Sequence, residues 1–329
     1  MARVTIAELL QRKGGGPAVA PPPGFASQSE ASGVGGMVVP PPMGGRDVAP
    51  FGAGVPVQRA LSVGLHKITM LTAYDCPTAK LLDASGVDIV LVGDSLGMVV
   101  LGYDSTAQVT MDEMIHHAKA ARRGVSRALL VGDMPFLSFR SSPNDSVKNA
   151  ARFVQEAGCD AVKVEWKQGI EDTAKAIIDA GIPVMGHVGL TPQTAAAEGG
   201  FGMRGKDAES AARIIAQAIA LQEVGCFAMV LECLPDLLAQ EITQRLRIPT
   251  IGIGSGPWCD GQVLVTHDLV GLFERFTPRF VKRYANLAET IRGAAAAYVR
   301  DVKAGVFPGP EQTVAMAPEE FMKLKRDLG

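Results

Sequence analysis

The sequence predicts a closed parallel α/β barrel of the (β/α)8, or TIM, type, and three observations carry that expectation. Short continuous runs of Val, Ile and Leu alternate with helical stretches from Lys67 onward, as expected of strands covered on both faces. Several of the helical stretches end in Gly a few residues before the next apolar run, as in EAGCDAV, DAGIPV and EVGCFAM. Gly in that place suits the left-handed residue that closes a helix. No hairpin signal separates the runs, so neighbouring strands should be parallel with right-handed crossovers. Seven or eight such units fit a single barrel of the usual ~250 residues. An open doubly wound sheet is the alternative architecture.

The strand candidates are 67–73, 88–93, 128–132, 161–164, 183–187, 228–232 and 249–254. RFVKRYA (279–285) is a weaker eighth. DGQVLVTHDLVGL can be read as that strand or as the helix after the seventh, and the helix is the preferred reading. Helices are expected over Met111–Gly124, Ser142–Gly158, Ser210–Gly225 and Leu287–Lys303, with a short one over Thr5–Arg12. The organisation is then a short N-terminal helix (1–13), a Pro/Gly-rich insertion (14–63), the barrel (64–309) and a C-terminal tail (310–329). The insertion, with GGGPAVAPPPGF and VVPPPMGG, is too poor in large apolar residues to offset its ordering entropy, and it is expected to be a flexible tether.

Composition narrows the function classes. A net charge of −2 gives no electrostatic reason to expect nucleic acid or an anionic membrane. No run reaches the ~18 apolar residues of a membrane span. The first residues do not read as a secretory signal. Five scattered cysteines without CxxC spacing suit reduced thiols in a cytoplasmic protein, and neither a disulfide framework nor a zinc site.

The chemistry lies where the strands end. DIVLVG runs into Asp94, ALLVG into Asp133, AVKV into Glu165 and AMVL into Glu232. PVMG runs into His187, and Lys163 stands two residues before Glu165. In a parallel barrel these ends share the face that hosts active sites. Any one such charge is commonly a solvated cap. Four converging carboxylates repel one another unless a cation lies among them. With no thiolate or His cluster in company, the expected ion is hard and oxygen-seeking, namely Mg²⁺. A 2-oxo acid would chelate it through keto and carboxylate oxygens, which acidifies the adjacent C–H for a neighbouring base. Lys163 as a Schiff-base lysine is the less economical reading beside a metal. His187 reads equally as a substrate contact or a packed histidine, whereas His116, His117 and His267 read as structural. The glycines of GIGSG (Gly252, Gly254, Gly256) read as close packing or a tight turn before they read as a phosphate site.

Longer words make a resemblance specific. LTAYD (71–75), LVGDSLGMVVLGYDST (91–106), GDMPF (132–136), VKVE (162–165), GHVGLTPQ (186–193), LECLP (231–235), IGIGSG (251–256), DGQVLVTHD (260–268) and FVKRYANL (280–287) occur in this order. Together they closely resemble the ketopantoate hydroxymethyltransferase (3-methyl-2-oxobutanoate hydroxymethyltransferase) family over roughly 67–308. The resemblance implies a barrel of the phosphoenolpyruvate/pyruvate superfamily type. It implies transfer of a hydroxymethyl group from 5,10-methylenetetrahydrofolate to 3-methyl-2-oxobutanoate through a Mg²⁺-stabilised enolate, the first step of pantothenate synthesis. Matched motif by motif, Asp94, Asp133 and Glu165 look like Mg²⁺ ligands, and Asp94, Ser95, Asp133 and Lys163 look like substrate contacts, with His187 expected near the keto oxygen. Glu232 looks like the proton acceptor. The resemblance also implies a homo-oligomer, a decamer in the family, whose partners are small molecules.

Two departures stand out. The family passes from its N-terminal helix to KITMLTAYD within a few residues, whereas here residues 14–63 intervene; the helix is still expected to dock on the barrel or a neighbouring subunit. EGGFGMRGK (198–206) carries Met203 and Arg204 where the family commonly has Val-Gln, so folate contacts are expected to differ in detail. Lyases and mutases on the same scaffold often carry a reactive loop cysteine, and none of the five cysteines here lies in such a motif.

Overall fold

The computed structural model describes residues 2–13, 67–195 and 199–329. The expected insertion, residues 14–63, lies outside the described residues. Two compact units are present, Met1–Leu264 and Val265–Gly329.

The first unit is a closed barrel of eight parallel strands in sequential order. They are β1 (Ile68–Thr72), β2 (Ile89–Val92), β3 (Leu129–Asp133), β4 (Ala161–Glu165), β5 (Val184–Gly189), β6 (Ala228–Glu232), β7 (Thr250–Ile253) and β8 (Gly261–Leu264). Helices α2 (Cys76–Ala84), α4 (Met111–Arg122), α5 (Pro143–Gln155), α6 (Ile170–Asp179), α7 (Ala208–Glu223) and α8 (Asp236–Arg245) form the crossovers, and a short α3 (Leu96–Val99) follows β2. Every residue of β2, β3 and β4 is buried, which is why these strands read as unbroken apolar runs. The helices expected over 111–124, 142–158 and 210–225 are present, each end within three residues of the expected one.

The eighth strand is a correction. Barrel closure falls to Gly261–Leu264, paired with both β1 and β7, not to residues 279–285, and DGQVLV is not helical. Residues 279–285 are irregular and almost wholly exposed, which a barrel strand cannot be. The four-residue β8 was hard to recognise because Gln262 is exposed and Gly261 has no side chain. Gly261 is required there: a Cβ would lie 2.5 Å from the Ile68 carbonyl oxygen across the closing seam. Close packing also accounts for the first glycine of GIGSG, since a Cβ on Gly252 would meet Cys259 Sγ at 2.9 Å.

The N-terminal helix, α1 (Ile6–Gln11), starts at a reciprocal capping box: the Thr5 side chain accepts from the Glu8 N–H, and the Glu8 carboxylate accepts from the Thr5 N–H. Its Ile6, Leu9 and Leu10, with Val4 before it, are buried in the same core as the strands. The Val4 N–H donates to the Arg127 carbonyl. Arg3 pairs with Asp160, Arg12 with Asp88 at 2.8 Å, and Lys13 with Asp260 at 2.8 Å. Asp88, Asp160 and Asp260 immediately precede β2, β4 and β8, and Arg127 stands two residues before β3, so α1 covers the N-terminal end of the barrel. The helix thus docks on its own barrel.

The second unit contains α9 (Thr266–Leu269), α10 (Leu287–Lys303) and α11 (Pro318–Leu328). The helix expected over Leu287–Lys303 is present, and it buries only Ala288. No described helix is long and apolar enough to cross a membrane.

Candidate active site

Register assembles the site. In parallel pairing Asp133 on β3 stands beside Lys163 on β4, Glu165 on β4 beside His187 on β5, and Gly189 on β5 beside Glu232 on β6. Asp94 lies just beyond β2. Lys163 Nζ reaches Asp133 Oδ1 at 2.7 Å. The Asp94 N–H donates to Asp133 Oδ2 at 3.3 Å. His187 lies between two acids, with Nδ1 3.6 Å from Glu165 Oε1 and Nε2 3.2 Å from Glu232 Oε2. All six charged or titratable residues expected from the strand ends are therefore brought together. Ser95, the first residue after Asp94, is half-buried, and its Oγ hydrogen-bonds the Tyr74 hydroxyl at 2.8 Å.

Depth separates the roles these groups can play. Asp94, Asp133, Lys163, Glu165 and His187 are buried, whereas the Glu232 side chain is 16% exposed and is the acid best placed to meet an incoming molecule. A glycine keeps that end clear. Gly189 has φ 102°, and a Cβ there would fall 2.2 Å from the Glu232 carbonyl oxygen, so a side chain at 189 would displace the strand end that carries the acid. Immediately after Glu232, Cys233 has φ 51° without being glycine. Such left-handed conformations are uncommon for non-glycine residues and are found at functional turns.

Burial governs the electrostatics. It raises Asp133 to about 7 despite the Lys163 ammonium beside it, with Asp94 pushing the same way. It raises Glu165 well above the usual carboxylate value, again against Lys163 and with the neighbouring acids adding to the effect. Lys163 is raised despite burial, because Asp133, Glu165 and Asp94 favour its charge. His187 is lowered, first by burial and then by Lys163, so its imidazole is neutral at physiological pH. A cluster in which acids retain protons and a lysine stays charged is short of positive charge, and a bound cation would supply it.

Two residues of this site escaped the sequence reading. Gln193, at the end of GHVGLTPQ, is buried; its Nε2 donates to Asp94 Oδ2 at 3.0 Å and to the Met134 carbonyl at 2.9 Å, while its N–H donates to Glu165 Oε2 at 3.3 Å. It ties Asp94 to Glu165. Arg140, on the loop after β3, places Nη2 3.7 Å from Glu165 Oε2 and its guanidinium 5.0 Å from the Phe139 ring. Their occurrence on loops that directly follow Asp133 and His187 was the available signal.

The donor chemistry suits a hard cation: Asp94, Asp133 and Glu165 offer only oxygen, without a thiolate in the cluster. Among the described residues no group of three or more His, Cys, Asp or Glu forms a ready-made cage. Mg²⁺ does not require one, since it commonly retains several waters and uses one or two carboxylates.

Comparison with known proteins agrees with this geometry. The family model described as ketopantoate hydroxymethyltransferase matches residues 57–310. A 3-methyl-2-oxobutanoate hydroxymethyltransferase of Acetivibrio thermocellus is 60% identical over 243 residues, 74% of this chain and 86% of that protein. Another from Desulfotalea psychrophila is 54% identical over 268 residues, 82% of this chain and 96% of that protein. Among solved structures, phosphoenolpyruvate phosphomutase from Streptomyces platensis subsp. rosaceus superposes with a TM-score of 0.51 at 16% identity, covering 82% of this chain and 95% of that one. Oxaloacetate acetylhydrolase gives a TM-score of 0.51 at 12% identity, covering 80% and 90%. The last two show a common fold. The sequence relatives show more: this chain belongs to the ketopantoate hydroxymethyltransferase family.

Proposed function

We propose that this protein transfers a hydroxymethyl group from 5,10-methylenetetrahydrofolate to 3-methyl-2-oxobutanoate, forming 2-dehydropantoate at the start of pantothenate biosynthesis. Family membership supports the reaction. The observation that carries its chemistry is the partly exposed Glu232 carboxylate, 3.2 Å from a neutral, buried His187 and beside the Asp94–Asp133–Lys163–Glu165 cluster.

Asp94, Asp133 and Glu165 would hold Mg²⁺, one or two of them directly and the rest through its waters, and the ion would supply charge to polarise the keto acid and to acidify its C3–H. Lys163 contributes a fixed positive charge on the same side, and Asp94, Ser95 and Asp133 line the place where the keto acid would sit. Glu232 takes the C3 proton. His187 Nε2, 3.2 Å from Glu232 Oε2, packs against the Glu232 carboxylate and would restrict the rotamer from which the base acts. The resulting carbon nucleophile bonds to the methylene carbon of the folate, the two C–N bonds to that carbon break, and water supplies the hydroxyl oxygen, so that tetrahydrofolate leaves with the nitrogens protonated. Gln193 holds Asp94 and Glu165 in place through its side chain and N–H.

A cysteine-dependent lyase chemistry finds no support in the thiols. Burial pushes Cys159, Cys226 and Cys233 each up to about 12 and raises Cys259, which is the opposite of an activated thiolate. All five cysteines are free, in keeping with a cytoplasmic location, and the family resemblance supports a homo-oligomer.

The purified protein, given 3-methyl-2-oxobutanoate and methylenetetrahydrofolate, should form 2-dehydropantoate, lose the activity with EDTA and recover it with Mg²⁺. No product under any of these conditions rules the assignment out.

A further inference from the structure

A cavity of about 470 Å³ opens beside the carboxylate cluster, and its charge is opposite to that of the cluster. Arg140, Lys167, Arg204 and Arg213 line it together with Trp166, and among the described residues no Asp or Glu lines it. Its size lies within the range of small-molecule sites. Four cations, with no acid among the described lining residues, suit an anionic ligand with more than one charge.

The cleft is joined to the site at both edges. Arg140 approaches Glu165 Oε2 at 3.7 Å, and Trp166 directly follows Glu165. Across the cleft, the Arg204 N–H donates to the Cys233 carbonyl at 2.9 Å, one residue beyond Glu232. Ser210 and Arg213 lie on one side of the first turns of α7, whose N-terminus is capped by the Asp207 carboxylate. Arg213 forms an exposed pair with Glu209 at 2.5 Å, their side chains 60% and 84% exposed, an interaction of the kind that competes weakly with a ligand.

From these observations we infer that the cleft receives the glutamate carboxylates of the folate donor, with Trp166 beside its aromatic linker, while the one-carbon end reaches toward Glu232. The inference rests on the hydroxymethyl-transfer reading above. It follows from a division of charge: the keto acid carries a single carboxylate, which belongs among the groups around Asp133 and Lys163, so the second anion-selective pocket is left for the other reactant. The departure at Arg204 then has a consequence, because that side chain adds a cation at the cleft.

Calorimetry on the full-length protein tests this with tetrahydrofolate, with tetrahydropteroate, which lacks the glutamate, and with inorganic phosphate. Tetrahydrofolate should bind at least about tenfold more tightly than tetrahydropteroate, as expected for lost charge-assisted contacts. Arg204→Ala and Arg213→Ala should each weaken tetrahydrofolate about tenfold and leave tetrahydropteroate unchanged, with Arg213→Lys recovering part of the loss. Phosphate should compete with tetrahydrofolate in the wild type. Folate-free deuterium exchange at C3 of 3-methyl-2-oxobutanoate should be the same in Arg213→Ala as in wild type, which shows that the variant is folded and that the acid site is intact. Equal tetrahydrofolate affinity in wild type and variants, equal losses for both pterins, or phosphate binding without competition would each overturn the assignment. If the wild type shows neither C3 exchange nor product, the transferase reading itself has failed; if it shows both and the variants match it, only the cleft assignment has failed.

Discussion

Replacing Glu232 by Gln isolates the proton-transfer step from the architecture around it. The two side chains have the same heavy-atom outline, so the 3.2 Å contact with His187 Nε2 can persist with the amide oxygen as acceptor. The carbonyl of residue 232 still accepts from the Leu190 N–H at 2.9 Å, and Asp94, Asp133, Glu165 and Lys163 are untouched. Folding and keto acid binding should therefore be preserved. A positioned general base contributes roughly 10²–10⁴-fold, which corresponds to about 3–5 kcal/mol of barrier at about 1.4 kcal/mol per decade. The assay is loss of the C3 proton signal of 3-methyl-2-oxobutanoate in D₂O by NMR, with Mg²⁺ present and folate absent, so that neither donor binding nor carbon–carbon bond formation enters the rate.

The expected outcome is exchange slowed by at least about a hundredfold with keto acid affinity within a few-fold of wild type. Exchange within about tenfold of wild type would refute the assignment of Glu232 and shift attention to Glu165, the other acid that contacts His187. That candidate is weaker on structural grounds: its side chain is 1% exposed and its carboxyl is held well above the usual value by burial. Loss of both exchange and binding would show that Glu232 positions substrate instead of taking the proton.

Other expectations follow from the same structure. Asp94→Asn should raise the Mg²⁺ concentration for half-maximal activity at least about tenfold; an unchanged metal titration would remove Asp94 from the ligand set. Leu9→Ala, at a side chain 1% exposed on α1, should lower stability in urea unfolding by about 2–5 kcal/mol, and a change below about 0.5 kcal/mol would mean that α1 is not a working part of the barrel's N-terminal end. The third concerns pH. Burial raises Asp133 from its ordinary 3.8 to about 7 and raises Glu165 as well, so between these values the folded state binds protons that the unfolded chain has released. Stability of the metal-free protein should then be full below about pH 4 as far as these groups are concerned and should fall as pH rises toward 7. Mg²⁺ should raise the melting temperature more at pH 8 than at pH 5, and an equal rise at both would contradict the account.

The strand-end acids were legible in the sequence because a parallel barrel converts one-dimensional position into shared location: the end of any strand lies on the same face as the end of every other. Asp133 and Lys163 are 30 residues apart in sequence and adjacent by register. The fold was legible for seven strands for a related reason, since burial on both faces imposes a continuous apolar run. Strand β8 lacks that run: two of its four residues are Gly261 and Gln262, and its identity is set by the seam it closes against β1. Gln193 and Arg140 were illegible because loop side chains follow no period. Their meaning comes from what they touch, and for Gln193 those partners are 28, 59 and 99 residues away.

The distribution of charge along the barrel axis explains how such a costly acid cluster can be kept. At the C-terminal end, acids are buried in excess of cations, which opposes folding until a cation or substrate arrives. At the N-terminal end the arrangement is reversed: the acids Asp88, Asp160 and Asp260 each meet a cation from the first thirteen residues, while Ile6, Leu9 and Leu10 are buried in the core. One end of the barrel therefore gains stability from apolar burial and matched charge, and the other keeps unmatched charge available for chemistry. The separation predicts that perturbations at the two ends should act independently, because among the described residues α1 and Glu232 share no partner. Leu9→Ala should lower stability by the same amount in the wild-type and Glu232→Gln backgrounds, and its effect on C3 exchange should vanish once the folded fraction is taken into account. Coupling beyond about 0.5 kcal/mol would mean that the plug at one mouth helps to set the geometry of the acids at the other.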